Sequence, residues 1–366
     1  CYQYGAFGTL RQAGPCETAP HKAPVTMAYD DYGRPTQVTS AALGTRSTHY
    51  DPLGRVWWTT DGKGQQTRFA YDALGRLIER TQAYGTPGAK TAHWVYDTVV
   101  PGALTEAVNA EGTVIERPYY DGYRRAAGVD TTIHGTTFGQ RLDYDARGRI
   151  QTTTLPSAQP NAAVEVGTVY NGWDQVAGQV YQGQVLWEPL EANAQGQMLR
   201  QRYGNGLEAM AHYDPLSGRL EAATVLKTVA LNAPPVPIDR FEYQWYAHGL
   251  LERRTQKGLL PNVSDQSDTF YYSPRGELKA WSTLGAAGAA QSWSVAYDGY
   301  GNLLQGPAGQ YVYEGERLKA IEGGDMQLTY SYDANGNVKV RSHNGIKTVL
   351  DYNALNQVKG IQAGAT

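Results

Sequence analysis

Apolar and polar positions alternate along this chain in short runs that are interrupted by turn-forming residues. In the clearest stretch, residues 54–60 are rich in the β-branched and aromatic types that favour strands. A turn-forming segment at 61–64 precedes residues 65–71, where Thr67, Phe69 and Tyr71 share one face by the period of two. A second turn at 72–75 leads into a new strand. The pattern therefore predicts one β-hairpin in each unit of about 20 residues.

The second turn of this unit recurs along the chain. A frame of Tyr-Asp, two variable residues, Gly, and Arg or Asn has six strict copies, which begin at Tyr29, Tyr50, Tyr71, Tyr144, Tyr297 and Tyr332. The first three copies are 21 residues apart. A fixed period of this kind indicates one small structural unit stacked many times. We call these the Tyr-Asp turns, and the turns between them, such as 61–64, the midway turns.

Each residue of the frame has a mechanical role. Asp suits the first position of a type I turn, where its carboxylate accepts a hydrogen bond from the backbone N–H two residues on. Gly three positions later suits the left-handed conformation that closes such a hairpin loop. Proline, which the second turn position accepts well, stands there in Pro52 and Pro274. The Tyr and Arg that flank the turn predict stacking of a guanidinium on an aromatic ring.

Degenerate copies of the frame extend the array to both ends of the chain. They begin at Tyr4, at Ala192 in the tyrosine position, at Tyr313, and at Tyr352, where Asn356 replaces the glycine. The array starts and stops without a capping segment. We therefore expect residues 1–366 to be one repeat array taken from a longer protein.

Composition narrows the classes of function. The net charge is −3 and charged residues make up 18%, which argues against a nucleic-acid binder. No apolar run is long enough to predict a membrane span. The 27 Tyr and 8 Trp, against 5 Phe, suit sheet surfaces that are partly exposed to water. Cys1 and Cys16 could pair or remain free thiols, and the sequence leaves both possibilities open.

The repeated frame resembles that of the YD-repeat, or Rhs (rearrangement hotspot), proteins, and reads most fully in Tyr71-Asp72-Ala73-Leu74-Gly75-Arg76-Leu77. The resemblance covers essentially the whole chain. It implies a long β-ribbon that coils into a hollow shell around a toxic C-terminal effector, as in bacterial toxin complexes. The self-cleaving core segment of that family is not recognisable here, so no protease role is assigned to Asp51 or Asp214.

The sequence predicts no catalytic, cofactor or metal site, and an enzyme ranks last among the classes considered. The seven His are scattered, and no metal-ligand, nucleophile-elbow or phosphate-loop motif is present. Residues 333–337 superficially resemble a calcium loop, but glycine falls at the wrong position. The repeat register favours a turn there instead.

Aromatic pairs such as Trp57-Trp58 could bind sugar rings. We expect cross-strand packing instead, with the two rings of each pair on opposite faces of the sheet. The main alternative function is a carbohydrate- or receptor-binding module on a bacterial or cell surface, in which replacing Trp57 or Trp281 would abolish glycan binding. A β-propeller is a third architecture, which the irregular spacing after Tyr213 disfavours.

The sequence thus predicts an all-β fold of consecutive β-hairpins that form a long twisted antiparallel ribbon. Strand twist should coil this ribbon into a spiral, hollow wall, with one edge buried against the next coil. The expected function is a shell that encloses a toxic effector segment and is secreted or delivered by a bacterium. The expected partners are that effector, other segments or subunits of the toxin with its delivery machinery, and, in the alternative, a carbohydrate.

Overall fold

The structure, a computed structural model, describes residues 1–14, 25–157, 163–228, 234–259, 263–285, 290–323 and 326–365. The chain divides into two compact units. Unit 1 comprises Cys1–Pro118, Thr131–Thr136 and Ala296–Thr366, and unit 2 comprises Tyr119–Asp130 and Thr137–Val295. In the described part the one helix is a three-residue 3₁₀ segment, Ala6–Gly8. No helix there is long and apolar enough to cross a membrane.

Unit 1 contains two runs of strands. The first run is β1 (Tyr2–Tyr4), β2 (Leu10–Ala13), β3 (Val25–Tyr29), β4 (Pro35–Ser40), β5 (Gly44–Tyr50), β6 (Val56–Thr60), β7 (Gln66–Tyr71), β8 (Leu77–Gln82), β9 (Lys90–Tyr96), β10 (Leu104–Val108) and β11 (Val114–Tyr120). Each strand of this run pairs antiparallel with the next. β12 (Ala126–Ile133) lies where the chain passes between the units.

Unit 2 contains one run of antiparallel neighbours. Its strands are β13 (Thr136–Tyr144), β14 (Ile150–Ser157), β15 (Glu165–Tyr170), β16 (Val176–Tyr181), β17 (Gln184–Ala192), β18 (Met198–Tyr203), β19 (Leu207–Tyr213), β20 (Leu220–Lys227), β21 (Val236–Trp245), β22 (Leu251–Gln256), β23 (Gln266–Tyr272), β24 (Leu278–Leu284) and β25 (Ala290–Ser294).

The second run of unit 1 forms a separate eight-stranded sheet in which neighbours in sequence pair antiparallel. Its strands are β26 (Ala296–Tyr297), β27 (Leu303–Gly306), β28 (Gly309–Glu314), β29 (Arg317–Gly323), β30 (Met326–Tyr332), β31 (Val338–His343), β32 (Ile346–Tyr352) and β33 (Val358–Ala365). The predicted fold class, an all-β ribbon of consecutive antiparallel hairpins, is confirmed.

A β-bulge follows every strict Tyr-Asp turn whose strand pairing is described. In β5 and β6, Tyr50 pairs with Val56 but His49 pairs with Trp58, so Trp57 is the extra residue. The same shift occurs between β3 and β4, where Tyr29 pairs with Pro35 but Ala28 pairs with Gln37. A bulge bends the strand and increases its twist. The repeat frame did not predict this feature, because the position of the extra residue depends on how the two strands are aligned.

The sheets bury little apolar surface. Among the described residues, the buried apolar side chains are Ala92, Ala320 and Ile321, at 2%, 5% and 7% exposure. A single sheet layer has water on both faces and therefore cannot form a deep core. The ribbon must be stabilised by its ladders of backbone hydrogen bonds, its cross-strand side-chain pairs and its turns.

One Tyr-Asp turn carries a residue that is unsuited to its backbone conformation. Arg124 occupies the glycine position at φ 65°, is exposed, and follows Asp121, whose turn is otherwise regular. A left-handed conformation costs about 1–2 kcal/mol for residues other than glycine. We expect Arg124→Gly to raise the free energy of unfolding by about 0.5–1 kcal/mol in urea titrations. The reverse change at the equivalent position, Gly75→Arg, should lower it, and equal effects in the same direction would contradict this account.

Candidate functional site

The Tyr-Asp turns have the predicted geometry. In the copy at 50–55, Asp51 Oδ1 accepts hydrogen bonds from the backbone N–H groups of Leu53 and Arg55, both at 2.9 Å. Gly54 has φ 83° and donates its N–H to the Asp51 carbonyl at 2.9 Å. The Arg55 guanidinium also donates, from Nε to Asp51 Oδ2 at 2.7 Å. The aspartate thus holds both the turn and the arginine that follows it.

Each arginine then contacts the next repeat. The Arg55 guanidinium lies over the ring of Tyr71 at 4.7 Å, and the Tyr71 hydroxyl donates to the Val56 carbonyl at 2.9 Å. Stacking of Arg on Tyr was predicted, but the ring belongs to the following repeat. The other pairs of this kind are Arg34–Tyr50, Arg76–Tyr96, Arg125–Tyr144, Arg149–Tyr170 and Arg317–Tyr332. These contacts link successive hairpins along one side of the ribbon.

The turn carboxylates are stabilised in their charged form. Burial raises the pKa of Asp51, but hydrogen bonds from the backbone and side chain of Arg55 outweigh it and hold the pKa below its usual value. At Asp97, the hydrogen bond from the Arg76 side chain and that from the Gly102 N–H lower the pKa to about 2. The Asp–Arg pairs of the turns therefore remain ionised in mildly acidic solution.

The prediction that Trp57 and Trp58 lie on opposite faces is wrong. Their ring centroids are 4.5 Å apart in an edge-to-face arrangement. The cause is the bulge at Trp57, which interrupts the alternation of side chains along β6. Cross-strand packing is confirmed, because Trp58 stacks on His49 at 4.3 Å and Trp281 stacks on Trp293 at 5.3 Å.

Unit 1 brings together turns that are far apart in sequence. Two midway turns, residues 40–44 and 61–64, contact the turns at 314–317 and 333–337, and we call this the edge contact. The Ala42 carbonyl accepts hydrogen bonds from Arg317 Nε at 2.9 Å and from its Nη2 at 2.5 Å. Lys63 Nζ forms an ion pair with Asp333 Oδ2 at 3.0 Å. One edge of the ribbon is thereby joined to the opposite edge of a segment about 270 residues later.

Asn335 lies at the centre of the edge contact and is 2% exposed. Its Nδ2 donates to Asp61 Oδ2 at 2.5 Å and to Asn356 Oδ1 at 2.8 Å, while its Oδ1 accepts from the Lys63 N–H at 3.0 Å. A buried amide with these partners meets its hydrogen-bonding needs inside the contact. Sequence reasoning did not single out Asn335, because within its own repeat it is an ordinary turn residue.

Glycines allow the backbones to approach closely at the edge contact. A Cβ on Gly62 would lie 2.8 Å from the carbonyl oxygens of Ala334 and Leu43 and 3.0 Å from Asn335 Oδ1. A Cβ on Gly44 would lie 2.8 Å from the same Ala334 oxygen. These distances are shorter than any side chain tolerates without a shift of the backbone. The contact therefore depends on glycine at the midway turns.

The segment at 333–337 forms a turn, as the repeat register predicted. The Asp333 carboxylate accepts hydrogen bonds from the Asn335 and Asn337 N–H groups, from Asn337 Nδ2 and from Lys63 Nζ. Within the residues that the structure describes, no group of three or more His, Cys, Asp or Glu is arranged to hold a metal ion. Cys1 lies in a disulfide, whereas Cys16 lies outside the described residues.

Comparisons with known proteins agree with the repeat. The family model for the RHS Repeat matches residues 57–87, which include the copy at Tyr71. No curated protein matches the sequence significantly.

Solved structures share the fold. The Photorhabdus luminescens Tc holotoxin pore with mutated TccC3 is 13% identical, with a TM-score of 0.65 over 99% of this chain and 23% of that one. TcdB2-TccC3 without its hypervariable C-terminal region gives the same four values. TcdB2-TccC3-Cdc42 is 14% identical, with a TM-score of 0.64 over 100% of this chain and 23% of that one. Identities this low show a common fold, and the chain spans less than a quarter of the length of these chains.

Residues 57–87 thus match the RHS Repeat, the Tyr-Asp turns recur along both units, and the chain shares the fold of these Tc toxin structures.

Proposed function

We propose that this chain is part of the wall of a bacterial toxin-complex shell that encloses a toxic effector segment. The observation that carries the proposal is the edge contact in unit 1, where midway turns join Tyr-Asp turns about 270 residues later. A ribbon whose opposite edges fit each other can pack against itself, so that successive segments lie side by side as adjacent rows. Such rows cover an area without leaving strand ends open between them.

The chemistry of the edge contact suits a wall. Its polar groups are satisfied by one another, and the Lys63–Asp333 pair and Asn335 are largely shielded from water. We expect a wall built from contacts of this kind to exclude an unfolded polypeptide or a protease loop.

The comparisons support the wider setting of this proposal. One similar structure is a Tc holotoxin pore with mutated TccC3, and two others contain TcdB2 together with TccC3. By extension, we assign to this chain a structural role, with the effector segment and other toxin segments or subunits as partners. We further propose that residues 1–366 form one repeat array within a longer protein that a bacterium secretes.

The alternative of carbohydrate binding receives less support. Trp57 packs against Trp58, and Trp281 stacks on Trp293, so the rings named for this role already contribute to the sheet. Pairs that are engaged in cross-strand stacking stabilise the hairpins.

Cryo-electron microscopy of the longest natural protein that contains this chain, with its effector segment, tests the proposal. We expect a closed shell with density inside it, and an effector segment that resists added protease until the shell is denatured. An open ribbon, or an effector that is digested as fast as it is in isolation, would refute the proposal. A shell that is closed but empty would contradict the enclosure of an effector and would support only the structural role.

A further inference from the structure

In each Tyr-Asp turn we count positions from the aspartate, so that the third position is two residues after it. In the early Tyr-Asp turns of unit 1, this position carries large apolar side chains that are largely or fully exposed. We call these residues the third-position row; they are Phe7 at 102%, Tyr32 at 85%, Leu53 at 77% and Leu74 at 76% exposure. Neighbouring copies are separated by two strands, and therefore by about 10 Å along the ribbon edge. Single exposed apolar residues are common on protein surfaces, but a row at one register position is not explained in that way.

The edge contact shows what covers this position elsewhere in the same unit. Asn335 is the third residue of its Tyr-Asp turn and is 2% exposed. The midway turn at 61–64 covers it: the Asn335 amide donates a hydrogen bond to Asp61 Oδ2 and accepts one from the Lys63 N–H. The midway turn at 40–44 lies beside it, because a Cβ on Gly336 would be 2.5 Å from the Ala42 carbonyl oxygen. The third position is thus the part of a Tyr-Asp turn that faces a midway turn.

We propose that the third-position row is a docking edge for the midway turns of a second ribbon of this type. In the isolated chain, the occupant is a second copy of the same chain. The edge contact supports the proposal, because there a midway turn already covers the third position of a Tyr-Asp turn, at Asn335. It rests on the proposed function only for its role in the cell, where the occupant is an adjacent row of the shell.

The surface required on the second copy is present. The midway turn at 83–89 in unit 1 has exposed residues from Tyr84 onward, including Gly85 and Gly88. A Cβ on Gly85 would meet nothing within 4 Å, so this turn is open to an incoming side chain. The two surfaces differ, so the association is head to tail and can continue beyond a dimer.

Unit 2 repeats the observation in its own turns. Tyr123, Trp173 and Leu216 hold the third position at 83%, 85% and 96% exposure. Arg147 and Gln195 hold it in the turns between them, so apolar residues are less regular there. Arg34 and Arg125 lie over the rings of Tyr32 and Tyr123 at 5.0 and 5.1 Å, but Leu53, Leu74 and Leu216 stay more than three-quarters exposed.

Analytical ultracentrifugation of the 366-residue chain tests the proposal. The test variant combines Phe7→Asn, Tyr32→Asn, Leu53→Asn and Leu74→Asn, since asparagine is the residue that occupies this position in the edge contact. The control variant combines Val95→Thr, Ile346→Thr, Val358→Thr and Ile361→Thr, which are exposed apolar residues on strands of unit 1. We expect the average mass of the wild type and of the control to rise with concentration, with association weakened at least tenfold in the test variant.

Hydrogen exchange identifies the surface that is occupied. On association of the wild type, amides of residues 83–89 should gain protection, and this gain should be lost in the test variant. A wild type that stays monomeric, a test variant that associates as strongly as the wild type, or protection confined to strand faces would each overturn the proposal. Circular dichroism confirms that both variants keep their β-structure. An open ribbon in microscopy of the longer protein would refute the shell and leave this association intact.

Discussion

Replacing Gly62 with alanine is expected to separate the midway turn at 61–64 from the turn at 333–337. The new methyl group would lie 2.8 Å from two backbone carbonyl oxygens, those of Leu43 and Ala334. Neither oxygen is the end of a flexible side chain, so the turns themselves must move apart. Overpacking of this kind costs about 1–3 kcal/mol. Hydrogen exchange should show faster exchange at residues 40–44 and 61–64, with strands far from the contact unchanged.

Gly122→Ala is the matched control for Gly62→Ala. Gly122 also occupies the second position of an Asp-opened turn, after Asp121, and a Cβ there would meet nothing within 4 Å. Alanine at such a site should be neutral or stabilise by about 0.4–1 kcal/mol, because it restricts the unfolded chain. If both substitutions destabilise the chain equally, the effect belongs to the turn and not to the edge contact.

Replacing Asn335 with alanine should disrupt the same contact through its hydrogen bonds. The substitution leaves Asp61 Oδ2 without the donor that Asn335 Nδ2 supplies, and it removes one of the two donors to Asn356 Oδ1 and one of the two acceptors of the Lys63 N–H. A buried polar group that loses its partner costs about 1–3 kcal/mol. We therefore expect a loss of at least about 2 kcal/mol in urea unfolding, together with faster exchange in the midway turns.

Asn205→Ala is the control for this second substitution. Asn205 lies in an exposed midway turn of unit 2, where its Oδ1 accepts one local hydrogen bond from the Leu207 N–H at 3.1 Å. Exposed changes of this kind usually stay within about 0.5 kcal/mol. An Asn335 variant no less stable than the Asn205 variant would mean that the edge contact contributes little to the fold.

The hairpin and its turn were predictable because their causes are local. Asp51 and Gly54 act on backbone groups within four residues, and a pattern of that length can be read directly from the chain. The degenerate copies were predictable for the same reason. At 352–357, Asn353 accepts from the Gln357 N–H at 3.0 Å, and Asn356 adopts φ 62° in place of glycine.

The bulge and the partner of each arginine were not predictable from the repeat alone. Trp57 is the extra residue opposite His49 and Tyr50, so its ring contacts Trp58 and not the other face. Arg55 was expected to stack on the tyrosine that flanks its own turn. The pairing register of adjacent hairpins places it over Tyr71. Both features depend on how two neighbouring strands are aligned, and the alternation of residue types along one strand carries no information on that alignment.

The sequence by itself determined the hairpin unit, the chemistry of its turns and the all-β class, since each follows from backbone preferences within about ten residues. Only the tertiary structure decided that Asn335, Gly62 and Lys63 form the centre of an edge contact. These residues are ordinary turn residues in their own repeats, and no local rule distinguishes them from their equivalents. Their role arises because unit 1 places one edge of the ribbon against turns about 270 residues later in the chain, a proximity that no pattern within one repeat encodes.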